Sequence, residues 1–191
     1  MTLSTLDPHT ALIVIDLQKG IVSGATAHPV VDVIGHASEL ASAFRRHGLP
    51  VVLVNVDAGA PGRTDSRRTL RDLPADWTDL VPELAAQPQD LRITKHTWGA
   101  FPSTDLQARL RSLHVTQVVV VGVSTSIGVE STARQAYELG FHVTLATDAM
   151  TDTSAEAHAN SVTRIFPRLG ETGSTQEVLD LLDRTHGNPG A

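Results

Sequence analysis

The sequence predicts an α/β fold, a three-layer α/β/α sandwich built on a parallel six-stranded sheet. Two observations carry this expectation. Short runs rich in Val and Ile alternate with stretches of helical periodicity from one end of the chain to the other, as in strands joined through helices. The run 118–121 is four consecutive valines, with none of the polar alternation of a half-exposed strand, so both of its faces should be covered. A chain of 191 residues suits one domain with a sizeable core, spanning 1–191, and no repeat or low-complexity tract divides it.

Residues 11–16 form the expected first strand. A helix follows over 28–47, where Val30, Val33, Ile34, Ala37, Leu40, Ala41 and Phe44 share one stripe. Gly48, Leu49 and Pro50 end it. Residues 51–56 read as the second strand, 91–94 as a shorter third, 106–113 as a helix and 117–121 as the fourth strand. Gly122 then punctuates the chain before a helix over 126–139. Ser124, Thr125 and Ser126 offer cap oxygens there, and Gly140 supplies the left-handed residue that stops it. A fifth strand over 142–147, a helix over 154–165 and a short sixth strand over 168–172 follow. Ser174 and Glu177 open the last helix as a capping box, and 185–191 should fray. The rhythm breaks only between 57 and 89, a stretch rich in Pro, Gly, Asp and Arg. A loop that long inside a compact domain is usually functional or disordered.

Composition narrows the function. A net charge of −6 argues against nucleic acid or an anionic membrane as the main partner. No apolar run approaches the ~20 residues that span a bilayer, and no basic segment precedes the first apolar run as in a signal peptide. The chain has no cysteine, which excludes disulfides and thiolate chemistry alike. A cytoplasmic protein acting on a small molecule is the plain expectation.

In open α/β sheets ligands gather at the carboxyl ends of strands, so residues there weigh most. Asp16 closes the first strand. It could serve as a turn cap, but a buried carboxylate is costly unless paired, and Lys95 is a natural partner. Lys95 on its own reads as a solvated strand end. A helix beginning near Ser126 would present free N–H groups to a developing negative charge. A serine nucleophile there would need an activating base, and none is near in sequence. Trp98 and Phe101 read as pocket lining or core. Arg63, Arg67, Arg68 and Arg71 form either a solvated cluster or a grip for an anionic group. Of nine histidines, His142, His158 and His186 are scattered, and only His96, next to Lys95, is a candidate for the site.

Three segments together resemble the isochorismatase-like hydrolases, also called cysteine hydrolases, over about residues 10–182. In the segment 118–140, VVVVGVSTSIGVESTARQAYELG, Gly122, Thr125, Thr132 and Ala133 fall in step with the family signature. The family's nucleophilic cysteine position is taken by Gly128. ALIVIDLQKGI, 11–21, resembles the strand that ends in a catalytic aspartate, matching Asp16 and Gln18. ITKHTWGAF, 93–101, resembles the strand end that supplies the catalytic lysine, matching Lys95.

The resemblance implies a catalytic set of Asp16, Lys95 and Gly128. It implies a substrate-binding set of Gln18, Trp98, Phe101, Val123, Ser124, Thr125, Ile127 and one arginine among Arg63, Arg67 and Arg68. It also implies a non-proline cis peptide at Val123–Ser124 and a homodimer or homotetramer. Nicotinamidases of this superfamily hold a metal through an Asp and histidines placed after the second strand. No histidine lies between 57 and 89 here, so no metal and no cofactor is expected. Isochorismatases can carry glycine at the cysteine position, which implies vinyl-ether hydrolysis: a carboxylic acid protonates the alkene carbon, and water adds to the resulting oxocarbenium ion. Asp16 would be that acid, provided that burial, which favours its proton, outweighs Lys95, which opposes it. The alternatives are a catalytically silent ligand-binding or scaffold relative, and amide or nitrile hydrolysis by activated water.

Overall fold

Six parallel strands form one sheet in the order β3-β2-β1-β4-β5-β6. The computed structural model describes residues 3–24, 26–65 and 73–186. The strands are β1 (Thr10–Ile15), β2 (Val51–Val56), β3 (Leu91–Lys95), β4 (Gln117–Val123), β5 (His142–Thr151) and β6 (Glu171–Gly173). Helices α1 (Lys19–Val22), α2 (Val30–Arg46), α3 (Leu106–Ser112), α4 (Glu130–Glu138), α5 (Ala155–Asn160) and α6 (Thr175–His186) lie between and after them. This is the predicted three-layer arrangement.

The central strands explain why it forms. Every side chain of β1 and β4 is buried. Successive side chains on a strand point to opposite faces. Leu12 and Val14 join one core with α2 and α6, through Ala37, Leu40, Phe44, Val178 and Leu182. Ala11, Ile13 and Ile15 join the other, with Leu106 and Leu110 of α3 and Ala133 and Ala136 of α4. Two buried faces leave no room for polar alternation, which is the reason these strands read as continuous apolar runs.

Several ends carry the expected chemistry. Gly140 takes φ 80° just past α4, a conformation that costs a glycine little. Ser174 and Glu177 form the capping box: the Ser174 N–H donates to Glu177 Oε2 at 2.8 Å, and the Glu177 N–H donates to Ser174 Oγ at 3.2 Å. Among the described residues no helix is long and apolar enough to cross a membrane.

Other boundaries differ from the sequence expectation. The helix expected over 126–139 starts as a π-helical turn, Thr125–Val129, before α4. The helix expected over 154–165 is likewise α5 followed by a π turn, Ser161–Ile165. β5 runs on to Thr151, because Met150 and Thr151 pair with Gly122 and Val123 beyond a register shift. β6 begins at Glu171 rather than 168. The chain first makes a 3-10 turn, Phe166–Arg168, whose Phe166 carbonyl accepts from the N–H groups of Leu169 and Gly170. α6 continues through His186, so 185 and 186 are helical rather than frayed, and the rest of the expected tail lies outside the described residues.

The chain runs outward from β1 through β2 to β3 in one direction, and from β4 through β5 to β6 in the other. The reversal falls between β1 and β4. In open α/β sheets ligands bind in the crevice at such a switch point, outside the carboxyl ends of the strands. Asp16 and the turn after Val123 are the residues that leave those two strands.

Candidate active site

Asp16 leaves β1 with φ 50°, a left-handed conformation that Asp tolerates better than most residues. Its N–H donates to the Val54 carbonyl at 2.9 Å, which fixes the backbone as the side chain turns into the crevice. Lys95, the last residue of β3, crosses beneath β2 to meet it. Lys95 Nζ donates to Asp16 Oδ2 at 2.7 Å and to the Thr97 carbonyl at 3.2 Å. Both side chains are buried, Lys95 to 2% exposure and Asp16 to 8%. The other carboxyl oxygen, Asp16 Oδ1, is buried without a hydrogen-bond partner.

Such a carboxyl is poised between two forces. Burial penalises its charged form, and Lys95 favours that form through its charge and hydrogen bond. Burial wins, and the Asp16 pKa is raised to about 6. An unpartnered buried oxygen and a pKa raised toward neutrality mark a carboxyl chemically able to donate or accept a proton near neutral pH.

Gly128 stands directly over this carboxyl. A Cβ there would lie 3.2 Å from Asp16 Oδ2 and 2.9 Å from Ile15 Cγ2. Glycine is thus required by close approach, and a larger residue would displace Ile15 and cover the acid. Gly122 is required for a different reason. It has φ 117°, and a Cβ on it would sit 2.0 Å from the Ile15 carbonyl oxygen. The cis peptide at Val123–Ser124 stands where the resemblance implies it.

The turn that carries Gly128 is held from outside. Ser126 donates to Asp152 Oδ2 from its N–H at 2.7 Å and from its Oγ at 2.8 Å. Ser126 is therefore neither a cap residue nor a source of a free N–H, and this corrects that expectation. Thr125 is fully buried, with Oγ1 2.9 Å from His158 Nδ1. Its hydroxyl is spent inward, which removes Thr125 from direct contact with a substrate. His158 also packs against His28, with ring centroids 4.5 Å apart and the rings tilted by 60°. Burial, then the neighbouring His28, lowers its pKa. Thr132 ties the turn to the loop after Lys95: its Oγ1 donates to the Gly128 carbonyl at 2.7 Å and accepts from the Ala100 N–H at 3.2 Å.

Gln18 belongs to the scaffold of the site rather than its surface. It is fully buried. Its Nε2 donates to the carbonyls of Val56 at 3.0 Å and Trp77 at 3.2 Å, and its Oε1 accepts from the Val56 N–H at 2.7 Å. All the functional atoms of the amide serve backbone groups, so substrate binding by Gln18 is corrected to positioning. Phe101 is corrected too: it is buried in the core and stacks with Phe141 at 6.0 Å. Trp98 is 65% exposed and Ile127 37%, so both are open to a ligand rather than core. Val123 is buried, with its carbonyl oxygen 3.4 Å from where a Gly128 Cβ would sit, and Ser124 is half-buried. Arg63 is exposed, whereas Arg67, Arg68 and Arg71 lie outside the described residues.

Sequence reasoning misses three functional positions. Asp152 and His158 support the turn from 26 and 33 residues away, a pairing that no local pattern announces. Asp57 is the third: its Oδ1 lies 2.5 Å from Nδ1 of His96, the histidine that the sequence already offers as a site candidate. Its signal was there to be found, since both residues directly follow strands, β2 and β3. Among the described residues no group of three or more His, Asp or Glu side chains is placed to hold a metal ion.

Comparison with known proteins gives the family. The isochorismatase domain family matches residues 10–177. An uncharacterized isochorismatase family protein of Escherichia coli O157:H7, YecD, is 42% identical over 180 residues, which cover 91% of this chain and 96% of that protein. Nicotinamidase 3 of Arabidopsis thaliana is 31% identical over 163 residues, covering 80% of this chain and 79% of its own. The solved structure of an isochorismatase family protein from Burkholderia thailandensis superposes with a TM-score of 0.90 at 39% identity, over 94% of this chain and 98% of that one. On sequence and on fold alike, this chain belongs to the isochorismatase family, whose members include hydrolases.

Proposed function

We propose that the protein is a hydrolase that cleaves a small, carboxylated enol ether by acid catalysis from Asp16, without a covalent intermediate. One observation carries the reading: the buried Asp16 carboxyl has one oxygen without a partner and a raised pKa, and its Oδ2 lies against Gly128, which has no side chain to crowd it. The resemblance puts Gly128 at the position of the family's thiol nucleophile and the chain holds no cysteine, so thiolate attack is excluded and proton transfer from Asp16 is the chemistry we propose. Asp16 protonates the terminal alkene carbon. Water adds to the oxocarbenium carbon and returns its surplus proton to Asp16. The hemiketal then separates into ketone and alcohol. Lys95 holds the carboxylate between these transfers. Exposed Trp98 and Ile127 offer apolar contact, and a loop arginine suits the substrate carboxylate.

A panel of 2-alkoxyacrylates, with matched amides and nitriles, tests this directly. Ketone release from the enol ethers is expected, with no ammonia from the other two. A protein that turns over nothing in the panel would be a ligand-binding relative, and the hydrolase reading would fall.

The pH profile has a fixed sign. The working form of Asp16 is protonated, and its pKa is raised to about 6. Turnover should therefore hold below that value and fall roughly tenfold per pH unit above it. A rate that rises through the same range would assign Asp16 a base's role instead.

Gly128→Ala should damage both fold and function. The added methyl meets Ile15 Cγ2 at 2.9 Å, and overpacking of this kind costs about 1–3 kcal/mol. It also covers the acid, so turnover should drop by more than the stability loss explains. A denaturant midpoint measured beside kcat separates the two effects. Full activity in the variant would show that substrate does not approach past Gly128.

A further inference from the structure

An imidazole–carboxylate pair stands just beyond the carboxyl ends of β2 and β3, beside the backbone of Lys95. Asp57 and His96 are the first residues beyond β2 and β3. His96 Nδ1 lies 2.5 Å from Asp57 Oδ1, with the two side chains 54% and 40% exposed. As an exposed ion pair this contact would contribute little to stability. Its placement is what sets it apart.

Both residues are anchored to the site. Asp57 follows Val56, whose N–H and carbonyl are both held by Gln18, two residues after Asp16. The Asp57 N–H donates to the Lys95 carbonyl at 3.3 Å. His96 follows Lys95 directly, and its own N–H donates to Ser103 Oγ at 3.2 Å. The loop then curls back until the Thr97 carbonyl reaches Lys95 Nζ. His96 therefore rides on the segment that wraps the Lys95–Asp16 pair. A carboxylate that accepts from Nδ1–H selects one tautomer and leaves the Nε2 lone pair to take up a proton, the relation of orienting acid to general base.

We infer that His96, oriented by Asp57, is the proton shuttle for the last step of the enol-ether reaction. This rests on the reading of Asp16 above. The hemiketal left by water addition still holds its alkoxy group. His96 Nε2 takes the proton of the hemiketal hydroxyl, and that O–H pair becomes the second bond of the ketone. The carbon–alkoxy bond breaks with its electrons on the departing oxygen, which receives the proton back from His96. One proton moves from hydroxyl to alcohol, and the imidazole returns to its starting state. Asp16 completes its own cycle at water addition, so the two residues act on different steps.

That division supplies the test. Alkene loss and ketone appearance are followed separately, by NMR, with a 2-alkoxyacrylate as probe, in wild type, Asp16→Asn, His96→Ala, His96→Gln and Asp57→Asn. The exposed dyad should leave folding intact in each rim variant, as circular dichroism would record. In wild type the two signals keep step. Asp16→Asn should slow the loss of alkene itself. Both His96 variants should consume alkene faster than they release ketone, with hemiketal accumulating and its collapse slowed roughly 10²-fold. Added imidazole should shorten the lag of His96→Ala, and Asp57→Asn should show a smaller lag. Ketone that keeps step with alkene loss in both His96 variants, or a lag that imidazole leaves untouched, would overturn the shuttle while sparing the role of Asp16. A wild type that consumes no enol ether would overturn both.

Discussion

Asp16→Asn should lower enol-ether turnover by roughly 10²–10⁴-fold, the contribution of a positioned general acid. The substitution preserves size and hydrogen-bonding shape while removing the transferable proton. Asn also tolerates the left-handed backbone that Asp16 adopts at φ 50°, so no new strain enters at the end of β1. Lys95 keeps an oxygen acceptor from the new amide and retains the Thr97 carbonyl. It does lose its counter-charge in a buried setting, so a fall in stability should accompany the fall in rate. The loss should appear in kcat with KM little changed, because the proton matters in the transition state and not in binding. Unchanged kcat in a folded variant would remove Asp16 from the chemistry.

Arg45→Ala should produce the largest loss of stability among single changes away from the site. Arg45 closes α2 and grips the segment before β3. Its Nε and Nη2 donate to the two oxygens of Asp90 at 3.0 and 2.7 Å, and its Nη1 and Nη2 both reach the Leu84 carbonyl at 3.1 Å. The Asp90 side chain is 1% exposed. Removing the guanidinium leaves that carboxylate buried with only the Gln87 N–H at 2.7 Å and no counter-charge, a loss of about 3–5 kcal/mol. For a domain of this size the melting temperature should drop by roughly 6–20 °C. Asp90→Ala should behave similarly, and a double variant should be less unstable than the sum of the singles. Strict additivity would show that the pair does not act as a unit.

What could be read from the sequence divides along a physical line. The strands were legible because a covered sheet forces unbroken apolar runs such as 118–121, and Gly140 and the Ser174–Glu177 box were legible because their chemistry is local. The π turn at Thr125–Val129 was not, since small polar residues look alike whether they cap an α-helix or fill a wider turn. Asp16 is marked by its place at a strand end, whereas Lys95 reads there as solvated and only the family resemblance marks it. The resemblance implies outward roles for Gln18 and Thr125, and nothing in a linear chain shows that Val56 and His158 claim their polar atoms. Phe101 was ambiguous for the same reason, until Phe141 was found against it. Roles set by long-range partners become visible only when the partners are placed.

The Gln18 clamp has a consequence for how this architecture diversifies. Its amide fastens both hydrogen-bonding groups of Val56 and the carbonyl of Trp77, the near and far footings of the segment between them. With both footings fixed, insertions or deletions in that span need not disturb the carboxyl and ammonium behind them, and each doubling of loop length adds only about 0.6 kcal/mol of closure entropy. Lineages are thereby free to rewrite that segment while the Asp16–Lys95 pair behind it keeps its place.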